Sequence, residues 1–381
     1  MLYLDHASTS HPKPDAMIHG ISEYLNTVGA SPGRGSYSSA NKGSDFISAA
    51  RKELSALFHI TNPNHLAFSS NATHSLNILL KGFLKEGDHV VICSHSHNAA
   101  FRPLKTLSKE RGITFTVLPI SKNGSVDLYL LETMLNKKTA LILLNHASNV
   151  TGIITEIGPL SKMLDDKNIA FGLDVSQTAG YIPLNVNETP ISFLAGTGHK
   201  TLMGPSGIGF FYAKDPLKVS LMLEGGSSGN ASSSPNHPKS PPYRFEAGTL
   251  NYLGIAGLRA SIKHCQKMGF SKMLKQGLEV TAYLINQLQK LPYITLYGSE
   301  SASQKIPLIS FNMHGITPSA VAHILDEEYA IAVRSGLHCA PNCHKTLGTY
   351  PTGTVRVSVG NHITKENMDY LINAIKKIQE K

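Results

Sequence analysis

Lys200 stands in the segment Gly196-Thr197-Gly198-His199-Lys200, which leads into Gly204-Pro205-Ser206-Gly207-Ile208-Gly209. A lysine amine wrapped in glycines suits a Schiff-base role, because the missing side chains let a flat cofactor come close to the backbone. Taken alone, the segment fits a surface lysine in a glycine-rich turn equally well. Asp174 closes the apolar run Ala170-Phe171-Gly172-Leu173-Asp174, 26 residues before Lys200, and should point into the same crevice. A strand-end carboxylate can cap a turn; it can also hold a pyridine nitrogen protonated, so that the ring withdraws electrons. Gln177 could reach the phenolic oxygen of such a ring. Phe68-Ser69-Ser70-Asn71-Ala72-Thr73 precedes an amphipathic helix carrying Leu76, Ile78, Leu79, Leu80 and Phe83. The unpaired N–H groups and dipole at its start make Ala72 and Thr73 a phosphate seat, or a plain helix cap. Each piece is weak alone; together, in this order, they describe a binding site for pyridoxal 5'-phosphate (PLP).

A second reactive group lies far along the chain. Cys339 is set among Gly336, His338, Pro341 and Asn342, surroundings that are polar and turn-like. A thiol there is partly ionised at neutral pH and strongly nucleophilic. The small residues around it suit a loop that swings towards the cofactor and away again. Cys343 has no such setting and reads as inert, with a resolving thiol as the alternative. His338 and His344 flank the pair, but the spacing does not suggest a zinc site.

The elements that must position these groups follow from the hydrophobic pattern. The runs at 89–93, 113–118, 140–144, 170–174 and 207–212 are apolar and mostly rich in β-branched residues or aromatics, and helical patterns separate the earlier ones. Such runs predict an α/β fold with a mainly parallel sheet covered by helices on both faces. Ligands bind such sheets beyond the carboxyl ends of the strands. Residues 227–242 shift to Ser, Pro, Asn and Gly and read as an exposed loop. Residues 250–289 read as largely helical, followed by strand-like runs at 307–313, 331–335 and 354–359. Thr364 is a candidate N-cap for a last helix with an apolar stripe of Met368, Leu371, Ile372, Ile375 and Ile378. The expected division is a large PLP-binding α/β domain over 15–255 and a smaller α+β domain over 1–14 and 256–381.

Composition narrows the class. With 381 residues, 41% hydrophobic and 16% charged, the chain suits a globular protein of two domains rather than a disordered one. The net charge of +9 is spread without a run longer than a pair, such as Lys137-Lys138, so it reads as a solvated basic surface and not a nucleic-acid site. No apolar stretch approaches the roughly 20 residues that span a bilayer, so no membrane partner is expected. The start, Met1-Leu2-Tyr3-Leu4-Asp5, has no secretory pattern, and the 4 cysteines form no CxxC pair. A reducing cytoplasm is the expected compartment.

The chain resembles the class V aminotransferases, fold type I PLP enzymes, and among them the cysteine desulfurases and selenocysteine lyases with a short active-site loop. The resemblance is carried by Tyr3-Leu4-Asp5-His6-Ala7-Ser8-Thr9, Pro32-Gly33-Arg34-Gly35, residues 94–103 and Asn145-His146-Ala147-Ser148-Asn149-Val150-Thr151-Gly152. It continues in Leu173-Asp174-Val175-Ser176-Gln177, the Lys200 segment and Arg244-Phe245-Glu246-Ala247-Gly248-Thr249-Leu250-Asn251. Val333-Arg334-Ser335-Gly336-Leu337-His338-Cys339-Ala340-Pro341 completes it. It implies that Lys200 carries PLP, that Asp174 and Gln177 contact its ring and that His97 stacks on the ring and relays a proton. It further implies that Ala72, Thr73, Thr197 and His199 bind the phosphate, and that Thr249 reaches the phosphate in a neighbouring subunit of a homodimer. Asn149 would lie near the phenolic oxygen and the substrate carboxylate, which Arg356 would clamp. Cys339 would take sulfur from L-cysteine as a persulfide, leaving L-alanine, and pass it to an acceptor protein or thiol. A selenocysteine lyase or another lyase of the family is the alternative. No metal is implied. Against the family pattern, His6 stands where asparagine is usual, and Ser96 and His74 stand where glutamate is common.

Overall fold

The computed structural model describes residues 1–33, 37–227, 233–299, 301 and 304–380. Arg34 and Gly35 of the Pro32-Gly33-Arg34-Gly35 motif, and 228–232 of the expected loop, lie outside the described residues.

The chain begins with β1 (Leu2–Tyr3), α1 (Asp15–Thr27) and α2 (Ser38–Ala56). Strands and helices then alternate through β2 (Leu66–Ser69), α3 (Ala72–Phe83), β3 (His89–Cys93), α4 (Asn98–Arg111) and β4 (Thr114–Leu118). They continue as α5 (Leu128–Met134), β5 (Thr139–Asn145), α6 (Gly158–Asp166), β6 (Ala170–Asp174), β7 (Phe193–Thr197) and β8 (Gly209–Ala213). These strands form one 7-stranded sheet in the order β2-β8-β7-β6-β5-β3-β4. β8 runs antiparallel to both of its neighbours, while the pairings from β7 across to β4 are parallel. Side chains alternate across the sheet. Val90, Ile92, Leu141 and Leu143 therefore enter the core on one face, and Val91, Cys93, Ile142 and Leu144 the core on the other. With both faces covered, every position must be apolar, which is why these strands read as unbroken hydrophobic runs.

The remainder holds α7 (Tyr252–Met268), α8 (Phe270–Leu288), β9 (Ile294–Tyr297), β10 (Leu308–Met313) and α9 (Pro318–Tyr329). It ends with β11 (Ile331–Ala332), β12 (Arg334–Gly336), α10 (Pro341–Leu347), β13 (Thr354–Ser358) and α11 (Lys365–Gln379). Gly269, at φ +84°, separates α7 from α8 within the segment expected to be largely helical. The run 331–335, expected as one strand, is divided: β11 pairs in parallel with β1, and β12 pairs with β13 in an antiparallel sheet ordered β12-β13-β10-β9. That sheet and α11 share a third core, and α11 starts on a capping box between Thr364 and Asn367.

The first residues thread between the two sheets. Leu2 and Tyr3 pair with Ile331 and Ala332, and Asp5 bridges Ser358 at the end of β13. The His199 carbonyl, next to Lys200, then accepts hydrogen bonds from Ser10 N at 3.1 Å and Lys13 Nζ at 2.8 Å.

Candidate active site

The carboxyl ends of β5, β6 and β7 place Asn145, Asp174 and Thr197 side by side. They line a cavity of about 170 Å³ with Ala72, Thr73, His97, Asn149, Ser176, Gln177, His199 and Lys200. A smaller cavity of about 40 Å³, lined by His6, Tyr181 and Ser358 among others, lies on the other side of Lys200 and Gln177. The larger space is the one with room and polar groups for a ring with a phosphate.

Asp174 is buried and fixed through both oxygens. Its Oδ1 accepts from Ser176 N at 2.9 Å and Ser176 Oγ at 2.5 Å, and its Oδ2 accepts from Asn145 Nδ2 at 3.3 Å. Sequence reasoning passed over Asn145 and Ser176 in this support. The Asp-x-Ser spacing, which favours an Asx turn, was the available signal for Ser176. Gln177 Nε2 donates to Ala7 O at 2.9 Å, so its amide also anchors the N-terminal thread.

Lys200 is half-buried and lines the cavity. Burial lowers its pKa from 10.5 to about 8; Asp174 pulls upward, and Arg356 and Arg334 push further down. The effect is an amine that is partly neutral, and hence nucleophilic, near pH 8. His97 is the N-cap of α4, its Nδ1 accepting from Ala99 N at 3.0 Å, which fixes the ring on the cavity wall. Burial, followed by the Lys200 charge, lowers its pKa to about 4, so its imidazole is neutral at pH 7.

The phosphate seat has two halves. Asn71 caps α3, its Oδ1 accepting from His74 N at 2.9 Å, and leaves the first-turn N–H groups of Ala72 and Thr73 without carbonyls four residues back. Asn71, which lines the cavity, supplies the helix cap that was the alternative to a phosphate seat at Ala72 and Thr73. Thr197 and His199, the other expected phosphate contacts, line the same cavity, and the buried Nδ1 of His199 has no partner. Thr249 is exposed and does not line the cavity.

Arg356 is 1% exposed and makes three hydrogen bonds: Nη1 to Asn149 O at 2.9 Å, and Nη2 to Asp5 Oδ1 at 2.6 Å and Ser8 Oγ at 2.9 Å. Its Nε has no partner, so donors remain for another anion. Arg334, opposite Arg356 in the β12–β13 register, donates to the same Ser8 Oγ at 2.8 Å and approaches Cys339 Sγ at 3.6 Å. Ser8 and Arg334 were missed because they become neighbours only through strand register and the N-terminal thread. Cys339 is half-buried, its carbonyl accepting from Asn98 N at 2.7 Å, one residue past His97. In this structure the segment around it is held by hydrogen bonds from Asn98 and Asn149. Cys343 is buried against Val150, Ala340 and Leu347, and burial raises its thiol pKa to about 12. It is a core thiol.

These residues fit PLP. A buried carboxylate stands at one wall, an amine of lowered basicity at another, and a helix start with unsatisfied N–H groups faces the same space. Asn149 Oδ1 and His199 Nδ1 are buried polar atoms still lacking a partner there.

Comparison with known proteins agrees. The model of the class-V aminotransferases matches residues 2–371. A probable cysteine desulfurase of Methanothermobacter thermautotrophicus is 31% identical, over 99% of this chain and 94% of its own. The apo structure of a cysteine desulfurase from Thermococcus onnurineus NA1 superposes with a TM-score of 0.91 at 29% identity, covering 100% of this chain and 94% of that one. The cysteine desulfurase CsdA from Escherichia coli superposes at 0.88 with 26% identity, covering 99% and 94%. Fold, cavity and sequence therefore agree that this chain belongs to the class-V aminotransferase family.

Proposed function

We propose that this protein is a PLP-dependent cysteine desulfurase that converts L-cysteine to L-alanine and collects the sulfur as a persulfide on Cys339. The carrying observation is that Lys200 and Asp174 line one cavity, while the Cys339 thiol and the Arg334 and Arg356 guanidiniums, outside its lining, are near enough to act electrostatically on the Lys200 amine. Bound PLP supplies an electron sink for the pair released when the substrate Cα–H bond breaks. Asp174 holds the positive charge of the ring nitrogen, and Ala72, Thr73, Thr197 and His199 hold the phosphate. Gln177 and Asn149 would hold the ring by its polar edge, and the neutral imidazole of His97 would contact the ring.

Arg356 clamps the substrate carboxylate with its uncommitted N–H groups. The neutral amine of Lys200 takes the Cα proton. The Cys339 thiolate attacks the substrate sulfur; the new S–S bond forms as the C–S bond breaks, and the electron pair remains with the carbon fragment. Protonation of that fragment yields alanine, and the terminal sulfur leaves Cys339 when an acceptor thiol attacks it.

Thr249, exposed on one subunit, completes the phosphate site of a second copy in a homodimer. Residues 1–14 and 256–381 act as the smaller unit that carries Cys339. The cytoplasm is the proposed compartment, in keeping with four free cysteines and with no helix among the described residues long and apolar enough to cross a membrane. Incubation with cysteine followed by mass spectrometry tests the central reading. The Cys339 peptide should gain one sulfur, alanine should appear, and Cys339→Ala should lose sulfide release. Sulfide release that survives in Cys339→Ala would overturn it.

A further inference from the structure

His338 and Cys339 both hold left-handed backbone conformations, at φ +47° and +59°. Neither residue adopts that region readily, so the surroundings must impose it. Asn149 Nδ2 donates to His338 O at 2.6 Å, and Asn98 N donates to Cys339 O at 2.7 Å. Ala340 N donates to Leu337 O at 2.8 Å and closes the turn. The fourth anchor is the His338 imidazole, whose Nε2 lies 3.1 Å from both Thr354 O and Thr354 Oγ1. A backbone carbonyl can only accept, so Nε2 carries the hydrogen. The side chain is 2% exposed and lies against the His344 ring at 5.5 Å between centroids.

Three of the four anchors lie in the candidate site or next to its residues in the chain. Asn149 lines the cavity, Asn98 follows His97, and Thr354 precedes Arg356 in β13. We propose that His338 is a positioning residue: through its hydrogen bond to Thr354 it fixes the left-handed strap that presents the Cys339 sulfur to the bound substrate. Cys339 then works from a set position, registered at once to His97, Asn149 and Arg356. The sulfur acceptor must come to Cys339. This inference rests on the desulfurase reading above.

The test compares two rates in the holoenzyme. Exchange of the substrate Cα hydrogen with deuterated solvent needs Lys200 but not Cys339, whereas alanine formation needs both. In His338→Leu, exchange should stay within about two-fold of wild type while alanine formation falls about 100-fold, the cost of a thiol misplaced by an ångström or so. His338→Gln, whose amide can still donate to Thr354 O, should recover about ten-fold of that loss. In the resting protein, backbone hydrogen exchange across residues 337–343 should quicken about ten-fold in His338→Leu and stay unchanged in β6. Parallel loss of both rates, or unchanged alanine formation, would overturn the proposal. His338→Ala serves the same comparison should the leucine variant not fold. A wild-type protein that exchanges the Cα hydrogen but forms no alanine would instead overturn the desulfurase reading.

Discussion

As the proposed PLP-binding amine, Lys200 has to be neutral to react. Its pKa, lowered to about 8 by burial, gives a checkable pH dependence. The rate at which the apoprotein combines with PLP should rise about ten-fold per pH unit below pH 8 and flatten above it. An unperturbed lysine would keep rising towards 10.5. The same shift acts on stability. Between about 8 and 10.5 the unfolded chain binds more protons at this site than the folded one, so its contribution to apoprotein stability rises with pH across that window. Stopped-flow absorbance against pH settles the first point. At this scale the sequence was legible where chemistry is local: Lys200 in its glycines, Asp174 at a strand end. It was illegible for Ser8 and Arg334, whose shared hydrogen bond joins residues 326 apart. No local pattern encodes such a meeting.

The phosphate seat depends on how closely β8 approaches α3. A Cβ on Gly209 would stand 2.7 Å from the Asn71 backbone and from the Gly196 carbonyl oxygen. Backbone cannot yield as a flexible side chain would. Gly209→Ala should therefore cost about 1–3 kcal/mol in stability and weaken PLP binding by displacing the start of α3. Urea denaturation of the apoprotein and a PLP titration measure the two effects separately; unchanged affinity would show that β8 does not set the seat. Several strands were legible from their apolar runs alone. β3 and β6 match their apolar runs residue for residue, since strands covered on both faces leave no polar interruption. β2, at an edge, and the division of 331–335 between two sheets were not foreseen, because pairing partners far along the chain decide them. The pinned strap at Cys339 belongs with these: glycine and proline signal a turn, but only the hydrogen bonds of Asn149 and Asn98 show that it is held.

At the scale of the whole molecule, the N-terminal thread ties the β12–β13 sheet to the Lys200 loop. Leu4 is fully buried in the core shared with Ile331 and Val357. Leu4→Ala should lower stability by about 2–5 kcal/mol. It should also raise KM for cysteine more than it lowers kcat, because Asp5 and Ser8 next to it hold Arg356. Denaturant melts and steady-state kinetics check this; an unchanged KM would show that the thread is only packing.

The hydrogen bond from Arg356 to Asp5 spans 351 positions. On the ribosome, the carboxylate is made 351 positions before its guanidinium partner. The nascent chain must hold the 7-stranded sheet together with β1 unpaired until β11 and β13 emerge. Contacts of such long range slow folding. Arg356 follows every cavity-lining residue in the chain, so the proposed substrate clamp closes only after the proposed PLP cavity exists, and a chain that stalls before β13 should bind the cofactor without being able to use it.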